Sequence, residues 1–306
     1  MVNTASYPTF VEMIEPCITN LREIRQWKTE SQGDRWRRTL NRYATPTIGE
    51  RRLNEITQDD VLEMLKPIWT DRTETAANLQ RYISCIFSYA QATGKYTGGN
   101  PAIWRDGLEH FLPSPAKIRL VEHHAAIDQK DLPALIADLD SRMSIVAKAI
   151  IFGTLTAARA NEFVMAEWSE VDFSDAVWIC PRRKDKKPES HRVPLAPETI
   201  RMLQKLPHIN NYLFPGLHGH GHISLESPIK MLRLLMKGQP VTMHGMRSTF
   251  RDWAQENNFD RILAEKALMH ATGNAVEQAY QRSDLLEQRR SMMEAWAKFC
   301  YSKVKQ

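Results

Sequence analysis

Apolar side chains recur every three or four residues through residues 1–112, as in Phe10, Ile14, Ile18 and Leu21 and again in Trp36, Leu40 and Tyr43. That period gathers them on one face of a helix. Thr57-Gln-Asp-Asp60 ahead of Val61, Leu62 and Leu65 reads as a capping box, opening a helix that stops before Pro67. Thr73 to Thr93 predicts a long helix with Leu79, Tyr82, Ile83, Ile86, Phe87 and Ala90 along one side. Gly94 then starts a turn-rich stretch through Gly98, Gly99, Asn100 and Pro101. The pattern fades from Leu112 to Ile127, where Pro113 and Pro115 disfavour a helix, so residues 113–127 read as a linker.

Beyond it, Asp128 is placed to cap a helix bearing Leu132, Leu135, Ile136 and Leu139, followed by an apolar helix from Ile145 to Phe152. Ala176–Cys180 and His191–Leu195 predict two strands joined by a basic turn, Pro181 to Ser190. Helices resume from Pro197. The last, 285–303, carries a stripe of Leu285, Arg289, Met292, Met293, Trp296, Phe299 and Cys300. Spacing leaves open whether that stripe packs on its own domain or docks on a neighbouring protomer. The expected fold is mainly α: a helical domain over 1–112, then a mixed α+β domain over 128–306 with a small β-sheet.

With 42% hydrophobic and 25% charged residues in 306, the chain has the makings of a globular protein with a substantial core. No apolar run is long enough to cross a bilayer and no signal pattern opens the chain, which points to the cytosol. Cys17, Cys85, Cys180 and Cys300 lie far apart with no paired metal spacing and read as reduced, mostly buried thiols. The net charge of +5 is compatible with nucleic acid without demanding it. Two clusters stand out: Arg35, Arg37, Arg38 and Arg42, and Arg182, Arg183, Lys184, Lys186 and Lys187. Solvated surface and phosphate contact explain each equally well.

The chemistry concentrates near the C-terminus. His244 and Arg247 stand one helical turn apart, His270 follows, and then Tyr280. Opening a phosphodiester without a metal needs such a kit: a positive clamp for developing charge, proton shuttles and an oxygen nucleophile. His218, His220 and His222 alternate with glycines in a loop that offers no fixed ligand geometry, so no metal is assigned to them. His191 reads as structural.

The whole series is more specific than any part. Thr-Leu-Thr-Ala-Ala-Arg159-Ala-Asn-Glu162 and Glu-Trp168-Ser-Glu-Val-Asp-Phe precede the basic hairpin with Lys186, then His244-Gly-Met-Arg247, Leu-Met-His270 and Ala-Tyr280-Gln-Arg. In this order the chain resembles the tyrosine recombinases, or phage integrases, and most of all the P4-type integrases. Gly-Asn-Pro-Ala102, Val-Glu-His-His-Ala-Ala126 and the run from Arg282 to Trp296 are similar to that subgroup's core-binding end, linker and tail.

The resemblance implies a SAM-like core-binding domain over 1–112 and a catalytic domain over 128–306 whose helix 285–303 docks. It implies a site-specific recombinase that integrates or excises a mobile element through a 3′-phosphotyrosine, with no cofactor and no metal. Tyr280 would be the nucleophile. Arg159 and Arg247 would clamp the non-bridging oxygens, Lys186 would protonate the leaving 5′-oxygen, His244 would act as base or orienting donor, and His270 would donate to the phosphate. Glu162 would hold Arg159 or cap its helix. The partners implied are double-stranded DNA at attachment cores, a homotetramer on that DNA, and an excision or DNA-bending accessory factor, in a prokaryotic cytosol close to the nucleoid. A protein that kept the fold and DNA binding but lost the chemistry, or a type IB topoisomerase, is the alternative. Two departures matter. Ala157 stands where the family often has glycine. P4-type integrases also usually carry an arm-binding module ahead of the core-binding region, with which this sequence begins.

Overall fold

The computed structural model describes residues 7–27, 30–118, 126–181, 190–237, 239, 241–270 and 283–304. The chain divides into two compact units, Met1–Val121 and Glu122–Gln306.

The first unit is helical: α1 (Phe10–Ile24), α2 (Ser31–Tyr43), α3 (Gln58–Trp69) and α4 (Thr73–Ala92). The apolar faces read from the sequence meet in one core that includes Phe10, Ile14, Ile18, Leu40, Leu65, Leu79, Ile83 and Phe87. Thr57 and Asp60 form the expected capping box. Two proline expectations fail. Helix α3 runs through Pro67 to Trp69. A proline inside a helix costs about 3 kcal/mol, and the burial of Trp69 offsets it: its ring stacks on Trp104 at 5.5 Å and its Nε1 donates to the Pro113 carbonyl at 2.9 Å. Pro115 opens a helical turn, Pro115–Ile118, in the stretch expected to be irregular, because the first helical position needs no N–H. The arginine cluster of α2 also divides. Arg37 is held by Glu15 and Asp34, whereas Arg35, Arg38 and Arg42 are exposed.

The second unit begins with Asp128 capping a turn that leads into α5 (Leu132–Asp140), followed by α6 (Ile145–Leu155) and the short α7 (Ala160–Phe163). Strands β2 (Val177–Pro181) and β3 (Ser190–Pro194) pair antiparallel, Val177 opposite Pro194 and Trp178 opposite Val193. A strand that the sequence does not announce, β1 (Val171–Asp172), adds to the free edge of β2, making order β1-β2-β3. At two residues it carries no period to read. Then come α8 (Pro197–Gln204), α9 (Ser227–Leu235), α10 (Met243–Glu256), α11 (Arg261–Ala267) and α12 (Leu286–Cys300).

Helix α12 packs on its own unit in this single chain, with Met292, Met293, Trp296 and Cys300 in that core. Trp296 packs on Phe250 and Trp253 of α10, and its Nε1 donates to the Thr154 carbonyl near the end of α6, which also accepts the Ala157 N–H. Arg289, fully buried, donates to the carbonyls of Asp284 and Arg192, both at 2.8 Å, and joins α12 to β3. Gly153 completes the packing: a Cβ there would stand 2.5 Å from the Phe163 ring, so its absence lets α7 close on α6.

Candidate active site

Two helix ends build the site, and both finish the same way. At the end of α6, Ala157 takes φ +49°, and the Ala158 N–H returns to the Gly153 carbonyl. At the end of α11, Met269 takes φ +54°, and the His270 N–H returns to the Glu265 carbonyl. This left-handed cap turns the chain sharply and satisfies orphan carbonyls. It also leaves the last carbonyls of each helix pointing outward, at the negative end of the helix dipole.

Arg247 lies between them. Thr242 caps α10 by accepting the Gly245 N–H at 2.9 Å, which fixes the helix start and puts His244 and Arg247 on one face. The Arg247 guanidinium is 4% exposed; Nη1 donates to the Ala157 carbonyl and Nη2 to the Leu268 carbonyl, 2.6 Å away. Burial, with Arg159 nearby, pushes its pKa down to about 10, and Glu162 opposes that shift. Its Nε–H is buried without a partner among the described residues. A guanidinium has five donors in a rigid fork, so this one is aimed by two backbone carbonyls and keeps donors for an anion.

Arg159 stands beside it at the start of α7, with its Nη2 reaching the next carbonyl, Met269, at 3.4 Å. Glu162, buried, accepts the Arg159 backbone N–H at 2.8 Å and its Nη1 at 3.2 Å. It therefore caps the helix and holds the arginine at once. His270 completes the group: its Nε2 is 3.5 Å from Arg247 Nη2, and its Nδ1 is 2.6 Å from Glu265 Oε2. His244 is exposed in the first turn of α10. The structure thus brings Arg159, Arg247 and His270 together, with His244 on the face of α10 that bears Arg247. Lys186 and Tyr280 lie outside the described residues.

Glu265 went unnoticed in the sequence. Its spacing of five from His270 belongs to neither helix nor strand, and it faces the histidine only because Met269 reverses the chain. A left-handed glycine would have been a signal; methionine hides it. Ala157, by contrast, stands where the resemblance to the family leads to the expectation of glycine. Left-handed φ costs an alanine roughly 1 kcal/mol more than glycine. Ala157→Gly is expected to stabilise the second unit by about 0.5–1 kcal/mol, measured by urea unfolding; a lower midpoint would contradict the account.

Two family models match this chain. Residues 10–107 match the phage integrase central domain, and residues 125–286, more than half of the chain, match the phage integrase family. The chain belongs to the phage integrase family. Among relatives of this integrase-family chain, prophage integrase IntA of Escherichia coli (strain K12) is 28% identical over 276 residues, covering 88% of this chain and 65% of IntA. The integrase of Enterobacteria phage P4 is 27% identical over 300 residues, covering 90% of this chain and 66% of the phage protein. The chain spans about two thirds of the length of these relatives. In fold it is similar to a lambda integrase tetramer bound to a Holliday junction (TM-score 0.66, 14% identity, 91% of this chain and 78% of that one). It is also similar to the Tn1549 transposon integrase in complex with a circular intermediate DNA (TM-score 0.67, 16% identity, 95% and 99% coverage).

Proposed function

We propose that this integrase-family chain is a site-specific tyrosine recombinase, cutting and rejoining DNA at attachment cores to integrate or excise a mobile element. The observation that carries the reading is the Arg247 guanidinium suspended between the carbonyls of Ala157 and Leu268, with Arg159 and His270 at its side. Two aimed cations and an imidazole form a receptor for a phosphodiester whose charge grows as it is attacked.

Tyr280 attacks the phosphorus, forming a 3′-phosphotyrosine and releasing a 5′-hydroxyl. The ester stores the energy of the broken bond, so the reverse attack by a 5′-hydroxyl reseals the strand without ATP. Lys186 gives its proton to the departing oxygen, and His244 takes or orients the phenolic proton. The helical unit holds the duplex mainly through phosphates, with exposed Arg35, Arg38 and Arg42 on α2 supplying charge. Four protomers exchange strands in pairs, with an accessory factor setting direction, in the cytoplasm. Among the described residues, no helix is long and apolar enough to cross a membrane.

The test is a nicked suicide duplex carrying the attachment core from the junctions of the parent element. A covalent protein–DNA adduct on a denaturing gel, formed without ATP and in the presence of a chelator, is the expected result; no adduct on that core overturns the proposal. Strand exchange between two duplexes, as opposed to supercoil relaxation, separates recombinase from topoisomerase.

Lys186→Ala is expected to slow cleavage about 10²-fold or more, as loss of a general acid does. The rate should recover on a substrate with sulfur as the 5′-bridging atom, since a thiolate leaves unprotonated. Failure to recover would remove Lys186 from that role.

A further inference from the structure

We infer that Glu265 is a positioning residue for this reaction: it binds Nδ1 of His270, and so keeps Nε2 of that imidazole, and not a ring carbon, facing the scissile phosphate. The inference rests on the recombinase reading above and adds a residue that reading does not contain.

Glu265 lies in the last turn of α11 and is 9% exposed, although it is a carboxylate. Both of its oxygens are engaged. Oε1 faces Arg251 Nε at 3.3 Å, and Oε2 faces His270 Nδ1 at 2.6 Å. Arg251 follows Arg247 by one turn on α10, so the same helix aims the phosphate arginine directly and the histidine through Glu265. The left-handed cap at Met269 makes the arrangement possible, since it carries His270 back over the turn that holds Glu265.

The consequence is geometric. An imidazole can turn over about its Cβ–Cγ bond, exchanging its nitrogens for its ring carbons. A carboxylate fixed at Nδ1 stops that rotation and leaves Nε2 beside Arg247 Nη2, where a phosphate oxygen held by Arg247 would lie. A charge-assisted bond of 2.6 Å is strong enough to select one orientation. Without it His270 still occupies the site but points the right atom into it only part of the time, and a misplacement of about 1 Å can cost 10²-fold in rate.

The experiment measures covalent adduct formation on the suicide duplex in the full chain, together with the duplex dissociation constant. Glu265→Leu, of similar size but unable to accept a hydrogen bond, is expected to slow adduct formation about 10²-fold while changing DNA affinity less than about twofold. Glu265→Gln keeps a neutral acceptor and is expected to slow it about tenfold. In a His270→Ala background both losses should vanish, because there is no ring left to orient. A structural role would leave them intact. The inference is overturned if Glu265→Gln cleaves at the wild-type rate, or if either loss persists beside His270→Ala. Should Glu265→Leu not fold, Glu265→Gln alone decides. Absence of an adduct from the unsubstituted chain would sink the recombinase reading itself, which keeps the two failures distinct.

Discussion

Tyr280→Phe is expected to bind the duplex as the unsubstituted chain does and to yield no covalent adduct at all. Phenylalanine keeps the ring and removes only the oxygen. If that oxygen is the nucleophile, nothing else in the chain can form the ester, because hydroxyls elsewhere lack the clamp that stabilises the pentavalent phosphate. The effect is total, and gel-shift affinity should stay within about twofold, since binding rests on many phosphate contacts. An adduct surviving in Tyr280→Phe would move the nucleophile to another residue and leave the site geometry without its assigned reaction.

Arg247→Lys carries the second largest effect, a loss of about 10²–10³ in cleavage rate. Lysine keeps the charge and fits the volume, so charge alone predicts little change. Geometry predicts otherwise. The guanidinium spans two carbonyls that belong to different helix ends, Ala157 after α6 and Leu268 after α11. An ammonium is a point donor and cannot hold both while presenting a fork to a phosphate. Whichever carbonyl it abandons becomes a buried acceptor without a partner, at a cost of about 1–3 kcal/mol. A lower melting midpoint should therefore accompany the slower cleavage. Near-wild-type cleavage by Arg247→Lys would mean that net positive charge, and not the aimed fork, is what this position supplies.

Part of this site was legible in the chain. Arg159, Arg247 and His270, which the structure brings together, stand out in the sequence within a series whose members differ in chemistry and fall in a recognisable order. Helix faces were readable because burial selects apolar residues at a period the backbone dictates. Pro67 and Pro115 misled, since their local cost is set against tertiary contacts that no window along the chain contains. Glu265 was invisible for a related reason. A carboxylate in the last turn of a helix is ordinary, and its meaning comes from a methionine in a conformation that methionine seldom adopts.

Family, element order and the candidate reactive side chains are thus written in the order of residues, because they depend on local period and on which functional groups the chain carries. The sites those groups share are not. Arg247 is aimed by carbonyls 90 and 21 residues away in sequence, and carbonyls are the same at every position of every chain. Backbone acceptors have no letter in the sequence, so a cradle made from them exists only once the helices have packed.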